Sequence, residues 1–312
     1  MRTLVVLVLL AGGTALADEP WVVEKDNVDI SPAVGVEIKE LRVDNRLGDV
    51  SVIGTDAHGV SISVEKRAPD EATLARLKVN LVPDPSGRVD ISTVLLAGTD
   101  LSRVPAGSVR IDVTLLVPHK ARIDVQAWNG RVSATGLAAG ATLTTHEGDI
   151  TVTDSSGAVI TRAVRGSQRL VGLRGLVSAE HGFGPVSLDE IDGDFLAARV
   201  HHGSVDARHI RSHAARIMTT FGDIHFRGEL WAGGQYELRS REGNVDARVG
   251  GSFALDAQTR RGRIESRVSL LRLAPREEGR LRGVYEAGSG ALPAGLEMSS
   301  VSGVVRVGLV SD

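Results

Sequence analysis

From Val43 to the end of the chain, one arrangement of apolar and polar positions keeps returning. An apolar residue is followed by a polar one, a small one, two more polar ones and a glycine. After one further polar residue, apolar and polar positions alternate again. The copies read NRLGDVSV at Gly48, AWNGRVSA at Gly130, THEGDITV at Gly148, VHHGSVDA at Gly203, TFGDIHF at Gly222, SREGNVDA at Gly243, TRRGRIES at Gly262 and SVSGVVRV at Gly303. Gly130 to Gly148 is 18 residues, the steps from Gly203 are 19, 21 and 19, and Gly262 to Gly303 spans about two more steps. Degenerate copies fall around Gly166 and Gly182. The second reads with a two-residue insertion, Phe183-Gly184. The first carries Gln168 where Val or Ile is expected, which predicts a local irregularity.

The columns around the glycine predict the elements. Five residues before it stand Val43, Val125, Leu143, Val177, Ala198, Ile217, Leu238 and Ala257. Three before it are mostly small residues, among them Thr145, Thr219 and Ser240. Two after it stand Val50, Val132, Ile150, Val205, Ile224, Val245 and Ile264. Alternation with period two is the signature of a half-buried strand. Each copy is therefore two short strands joined at a glycine, where a residue free to take positive φ is favoured, and the following Asp or Asn suits a tight turn. A strand pair with one apolar face cannot bury that face alone. Stacking copies about 4.8 Å apart buries it and pairs the backbone with the copies on either side. The prediction is an all-β chain, a single parallel β-solenoid (β-helix) with coils of 18 to 21 residues, wound right-handed as parallel crossovers nearly always are.

Residues 54–120 interrupt the repeat. The stretch from Ala68 predicts a short helix capped by Asp70, with Leu74 and Leu77 facing inward. VDISTVLL and VRIDVTLLVP predict strands, and residues 271–312 predict the last coils, with GSGALPAGL as a loop. The expected organisation is a leader over 1–17, an N-terminal β region over 18–120 continuous with the solenoid, and solenoid repeats with a C-terminal cap over 121–312.

The leader reading rests on Arg2, the apolar run Leu4 to Ala11 and the small-residue site Ala15-Leu16-Ala17, which together resemble a secretory signal peptide. The run is far shorter than the roughly 20 residues of a membrane span. The mature chain is expected to be exported, to the periplasm or cell surface, without a transmembrane segment. The chain has no Cys, so disulfides, thiolate catalysis and Cys-based zinc sites are out of reach. A formal charge of −3 does not suggest nucleic acid, and 3% aromatic residues is sparse for a sugar-stacking platform.

The order of features is an early NRLGDVSVIG, a PDE-plus-helix insertion, a strand ending LLVP, then serial NG and GD coils. It resembles the bacterial exported β-strand-repeat proteins described as putative adhesins, a domain of unknown function, which are similar to auto-transporter adhesin head domains. The resemblance implies a β-helical envelope protein and carries over no catalytic residues.

HEGDI begins like a zinc-protease motif, but the fifth residue is Ile150 rather than His and Gly148 interrupts a β pattern; His146, Glu147 and Asp149 read as turn side chains. Five histidines fall between His201 and His225, with His209 and His213 in an expected turn, and His181 and His202 read as occupying one turn column within reach of a shared metal ion. The acids Asp189, Glu190, Asp192 and Asp194 read as a loop with oxygen ligands for calcium. Three residues past the glycine, Asp206, His225, Asp246 and Glu265 form an outward column. Two further on, Arg208, Arg227, Arg248 and Arg267 form another, so acids and arginines are expected to compensate each other. Residues 239–282 hold 11 Arg and no Lys against six acids, and a regular Arg row suits phosphate or carboxylate groups. No nucleophile elbow, P-loop or dinucleotide fingerprint is present.

The leading expectation is a non-enzymatic exported β-solenoid, structural or adhesin-like. Arg208, Arg227, Arg248 and Arg267 would contact anionic envelope polysaccharide or another envelope protein, and no cofactor is needed. Gly48, Gly130, Gly148, Gly203, Gly222, Gly243 and Gly262 are its turn glycines. The alternatives are a polysaccharide-acting β-helix enzyme using Asp206, Asp246 or the Asp189–Asp194 acids, and a metal-binding envelope protein using the histidines.

Overall fold

The computed structural model of the chain describes residues 21–31, 37–96, 107–269, 272–273, 278–288 and 292–310. The expected leader and Ser289–Ala291 of the expected GSGALPAGL loop lie outside them. Twenty-five strands and one helix of four residues make up the described regular structure, and most strand pairs are parallel. The fold divides into two compact units, residues 1–148 and 149–312.

In residues 1–148, two ladders of strands run side by side in the sequence pattern. One joins Arg88–Leu95, Glu40–Leu47, Arg122–Asn129 and Ala141–Glu147 in parallel. The other joins Arg110–Pro118, Val50–Thr55 and Val132–Thr135 in parallel. Each begins with antiparallel strands: Leu77–Pro83 on Arg88–Leu95, and Val22–Ile30 on Val60–Ala68 on Arg110–Pro118. The interruption at 54–120 thus supplies both the first parallel neighbours of the Gly48 repeat and antiparallel strands that occupy the ladder edges, which would otherwise offer unpaired backbone. The helix is Glu71–Leu74. Its N-cap Asp70 accepts hydrogen bonds from the Thr73 backbone N–H and hydroxyl, and Leu74 and Leu77 are buried.

In residues 149–312 the first ladder runs Val159–Arg165, Val177–Phe183, the second half of Val186–His202, the second half of Val205–Phe221, then Gln235–Glu242. The next rung is not the Gly262 repeat. Ala294–Ser300 pairs in parallel with Gln235–Glu242 on one side and with Phe253–Thr259 on the other. The second ladder agrees, with Val305–Leu309 lying between Val245–Gly250 and Ile264–Ser266. Sequence spacing placed the Gly303 copy beyond Gly262; the chain instead returns and inserts it between the Gly243 and Gly262 repeats. Arg280–Tyr285 then closes Phe253–Thr259 as an antiparallel edge. Because the Gly262 repeat is outermost, Ile264 and Ser266 are not fully buried there.

The core follows the columns. Val125, Ala127, Val132 and Ala134 are buried, as are Ala198, Val200, Val205 and Ala207, and the same four positions of the Gly222 and Gly243 repeats. Each fully buried Val, Leu or Ile contributes about 1.5–3 kcal/mol.

The bends are more specific than their glycines. Gly48, Gly130, Gly148, Gly203, Gly222 and Gly243 take positive φ, from 121° to 156°. A Cβ on Gly148 would fall onto the Gly130 carbonyl oxygen. Gly262 is not among the positive-φ glycines, and what demands glycine there is the Gly303 carbonyl oxygen, onto which a Cβ would fall. The glycine carbonyl accepts a hydrogen bond from a side chain three residues before the glycine of the adjacent rung: Thr145 to Gly130 at 3.3 Å, Thr219 to Gly203 at 3.0 Å, Ser240 to Gly222 at 2.9 Å, Ser300 to Gly243 at 2.7 Å and Thr259 to Gly303 at 3.3 Å. The Asp or Asn after the glycine accepts from the neighbouring rung's backbone N–H: Asp49 from Arg131, Asp149 from Ser167, Asp223 from Asn244, and Asn244 from Val304. Polar backbone groups at a corner need such partners.

Two further expectations change at the degenerate copies. The second turn glycine is Gly184, with φ 134°, and Val186 pairs with Gln168 and Val205 in unbroken register, so the copy has no insertion. Gln168 causes no irregularity; it is buried and in register with Ile150 as well.

Candidate contact face

The second ladder of residues 149–312 carries the two outward charged columns. Register sets Ser187, Asp206, His225, Asp246, Arg306 and Glu265 side by side. Arg306, brought in by the inserted rung, separates Asp246 from Glu265. Its Nε lies 2.8 Å from Glu265 Oε2, and Arg263 bonds the other oxygen. These two donors, Arg306 foremost, hold the Glu265 carboxyl below its usual range. Asp206 accepts from Arg208 Nε at 2.9 Å.

The expected pairing of each acid with the arginine two residues along therefore forms only at Asp206–Arg208. Arg227 and Arg248 are neighbours in register, and Arg248 is followed by Gly308 rather than by Arg267. Arg227 Nη2 donates to the Val310 carbonyl at 3.3 Å. Arg248 and Arg267 are exposed, and neither they nor Arg227 make an ion pair with a described residue. Like charges on adjacent strands disfavour each other, and an anion bridging them relieves that.

The histidines disperse. His209 lies at a bend within the long strand Val205–Phe221, where the register with the next rung shifts between Ala207 and Ile210, and His213 lies beyond that bend in the same strand. His209 Nδ1 is 2.7 Å from Asp189 Oδ1, and His213 Nδ1 is 3.4 Å from Asp194 Oδ1. His181 pairs with Val200, while Phe183 pairs with His202, so the expected His181–His202 column does not exist. The His202 ring is stacked between Phe183 and Phe221, with centroids 5.0 and 4.5 Å away. In residues 1–148, His146 stacks on Trp128 at 4.5 Å. Among the described residues, no group of three or more His, Asp or Glu side chains could hold a metal ion. The Asp189–Asp194 acids sit in the strand Val186–His202, not in a loop. Glu190 (φ 54°) and His209 (φ 50°) mark a second bend, beside Asp154 (φ 48°). These three line an open groove of about 600 Å³ together with Arg174, Asp192 and Arg211.

The sequence reading missed one buried cluster. Thr161 donates to Gln168 Oε1 at 2.7 Å. Gln168 Nε2 donates to the Glu180 carbonyl at 2.7 Å and lies 3.2 Å from His181 Nδ1, and His181 Nε2 lies 3.1 Å from the Gly166 carbonyl. His181 thus replaces the Thr or Ser that serves the glycine carbonyl elsewhere. The set is self-consistent only with a neutral ring protonated at Nε2, because a proton on Nδ1 would face the Gln168 amide donor. Burial pushes the His181 pKa down. The signal was present, a Gln and a His at two inward positions, but it appears only once Gly184 is taken as the turn.

No family model matches the chain, and no curated protein matches it. Solved structures do resemble it. They include a "putative adhesin" from Bacteroides fragilis at 10% identity, covering 91% of this chain and 97% of that one with a TM-score of 0.43. A "putative adhesin" from Parabacteroides distasonis shares 12% identity over 73% and 93% of the two chains, with a TM-score of 0.43. A "putative cell adhesion protein" from Clostridium sporogenes shares 10% identity over 92% and 99%, with a TM-score of 0.28.

Proposed function

We propose that this chain is a non-enzymatic, exported β-solenoid of right-handed winding. It would serve at the cell envelope in a structural or adhesin-like role, its outer face contacting anionic envelope polysaccharide through Arg208, Arg227, Arg248 and Arg267. The observation that carries this reading is the unequal use of charge on one face. In the neighbouring column Asp206 is bonded to Arg208, and Glu265 to Arg263 and Arg306, while Arg227, Arg248 and Arg267 are exposed and without carboxylate partners among the described residues. Guanidinium groups in this state favour bidentate contact with carboxylate or phosphate. Export rests on the leader-like residues 1–17.

The reading is tested by pull-down of the protein against acidic and neutral envelope polysaccharide fractions, with the four arginines changed to Ser as the comparison. Retention of acidic fractions by the wild type and its loss in the variant is expected. Equal retention by both proteins would remove the arginine row from the account.

A further inference from the structure

The groove on the first ladder of residues 149–312 carries a more specific site, and the inference rests on the reading above that the partner is an acidic polysaccharide. The groove encloses about 580 Å³. Strand register builds it. Phe195, Ala214 and Gln235 stand side by side on three successive rungs, as do Arg199, Met218 and Arg239. The middle rung contributes Ala214, Arg216 and Met218, with Arg216 bonded to Glu237 of the next rung at 2.6 Å; Phe195 and Arg199 form one wall, and Gln235, Glu237 and Arg239 the other.

The walls differ in a useful way. Arg239 is fixed by Glu237 at 2.6 Å and by Glu297 at 3.4 Å. Arg199 is exposed and has no ion pair with a described residue. The acid in register with it, Glu180, is taken by Arg162 at 3.1 Å. Phe195 is 39% exposed, and no described ring stacks on it. In the Phe183–His202–Phe221 column, by contrast, the rings cover one another's faces. A free aromatic face beside a free guanidinium, with Met218 next to them and the polar groups of Gln235 and the Arg216–Glu237 pair opposite, matches a ligand with one flat apolar face, a carboxylate and hydroxyl groups. The groove is open to solvent, so it suits a polar sugar unit rather than an acyl chain, which needs enclosure.

We infer that this groove binds an acidic pyranose unit of a polysaccharide, with the sugar face on Phe195 and Met218 and its carboxylate on Arg199. The probe is a galacturonic-acid oligosaccharide, titrated calorimetrically into the full chain, with the same oligosaccharide reduced to neutral sugar as its counterpart. The wild type is expected to bind the acidic form at least tenfold more tightly than the reduced one, a difference of about 1.4 kcal/mol. Phe195→Ala and Arg199→Gln should each weaken binding at least tenfold while leaving the unfolding midpoint in place. The triple variant Arg227→Gln, Arg248→Gln, Arg267→Gln should still bind the short oligosaccharide. The inference is overturned if both groove variants bind as wild type does, or if the reduced sugar binds equally well. Should the wild type bind no oligosaccharide yet retain acidic envelope polymer through the arginine row, the groove falls and the wider reading stands; failure of both removes both.

Discussion

At five bends the glycine carbonyl accepts a hydrogen bond from a Thr or Ser three residues before the glycine of the adjacent rung. The sequence displays this column as a preference for small residues. Its hydrogen-bonding role becomes legible only when Thr145, Thr219, Ser240 and Ser300 are seen reaching the carbonyls. Gly148→Ala should destabilise the protein by about 1–3 kcal/mol, because φ is 143° and the new methyl meets the Gly130 carbonyl; the midpoint of denaturant unfolding reads this directly. His181 gives a pH dependence of fixed sign. Its pKa is lowered in the folded state, chiefly by burial, so protons bind more readily to the unfolded chain. Its contribution to stability is complete above the unfolded value of about 6.5 and is lost as pH falls through the lower folded value. His181→Val should flatten the fall in unfolding midpoint between neutral and mildly acidic pH. An unchanged slope would place the titration elsewhere.

The strand pairs were legible because their two-residue alternation survives in every copy, and the helix because Asp70 precedes a run that can cap on it. The order of the rungs was not. Every rung offers the same two or three inward apolar residues, so nothing in the alternation says that Leu296 should lie between Tyr236 and Leu255, and Met298 between Leu238 and Ala257, rather than beyond them. Gly184 was misassigned for a related reason: with Gly182 two residues away, two glycines competed for one turn. The inserted rung makes a prediction at the scale of the element. Leu296 is fully buried between two neighbouring rungs, and Leu296→Ala should cost about 2–5 kcal/mol. Removing residues 292–312 would leave Gln235–Glu242 and Phe253–Thr259 without their shared partner. Amide exchange should then quicken in both strands while that of Val177–Phe183 changes least. Uniform quickening would mean that the stack unfolds as one unit.

For the whole molecule, net charge says little; −3 over 312 residues conceals a lattice in which some arginines are consumed and others are not. Which ones are left over depends on where the last rung sits, because Arg306 takes Glu265 and Gly308 interrupts the Arg248–Arg267 row. The contact face, the candidate partner and the column of rungs therefore share one premise, the insertion of Val305–Leu309 between Val245–Gly250 and Ile264–Ser266. The absence of Cys lets that premise be tested with two introduced thiols. Adjacent rungs are about 4.8 Å apart and alternate rungs about twice that, whereas a disulfide needs Cα atoms within about 7 Å. Under mild oxidation, Asp246→Cys with Arg306→Cys should close an intramolecular disulfide, and Asp246→Cys with Glu265→Cys should not. Closure of the second pair and not the first would return the Gly262 repeat to the place its sequence spacing suggests and contradict the account.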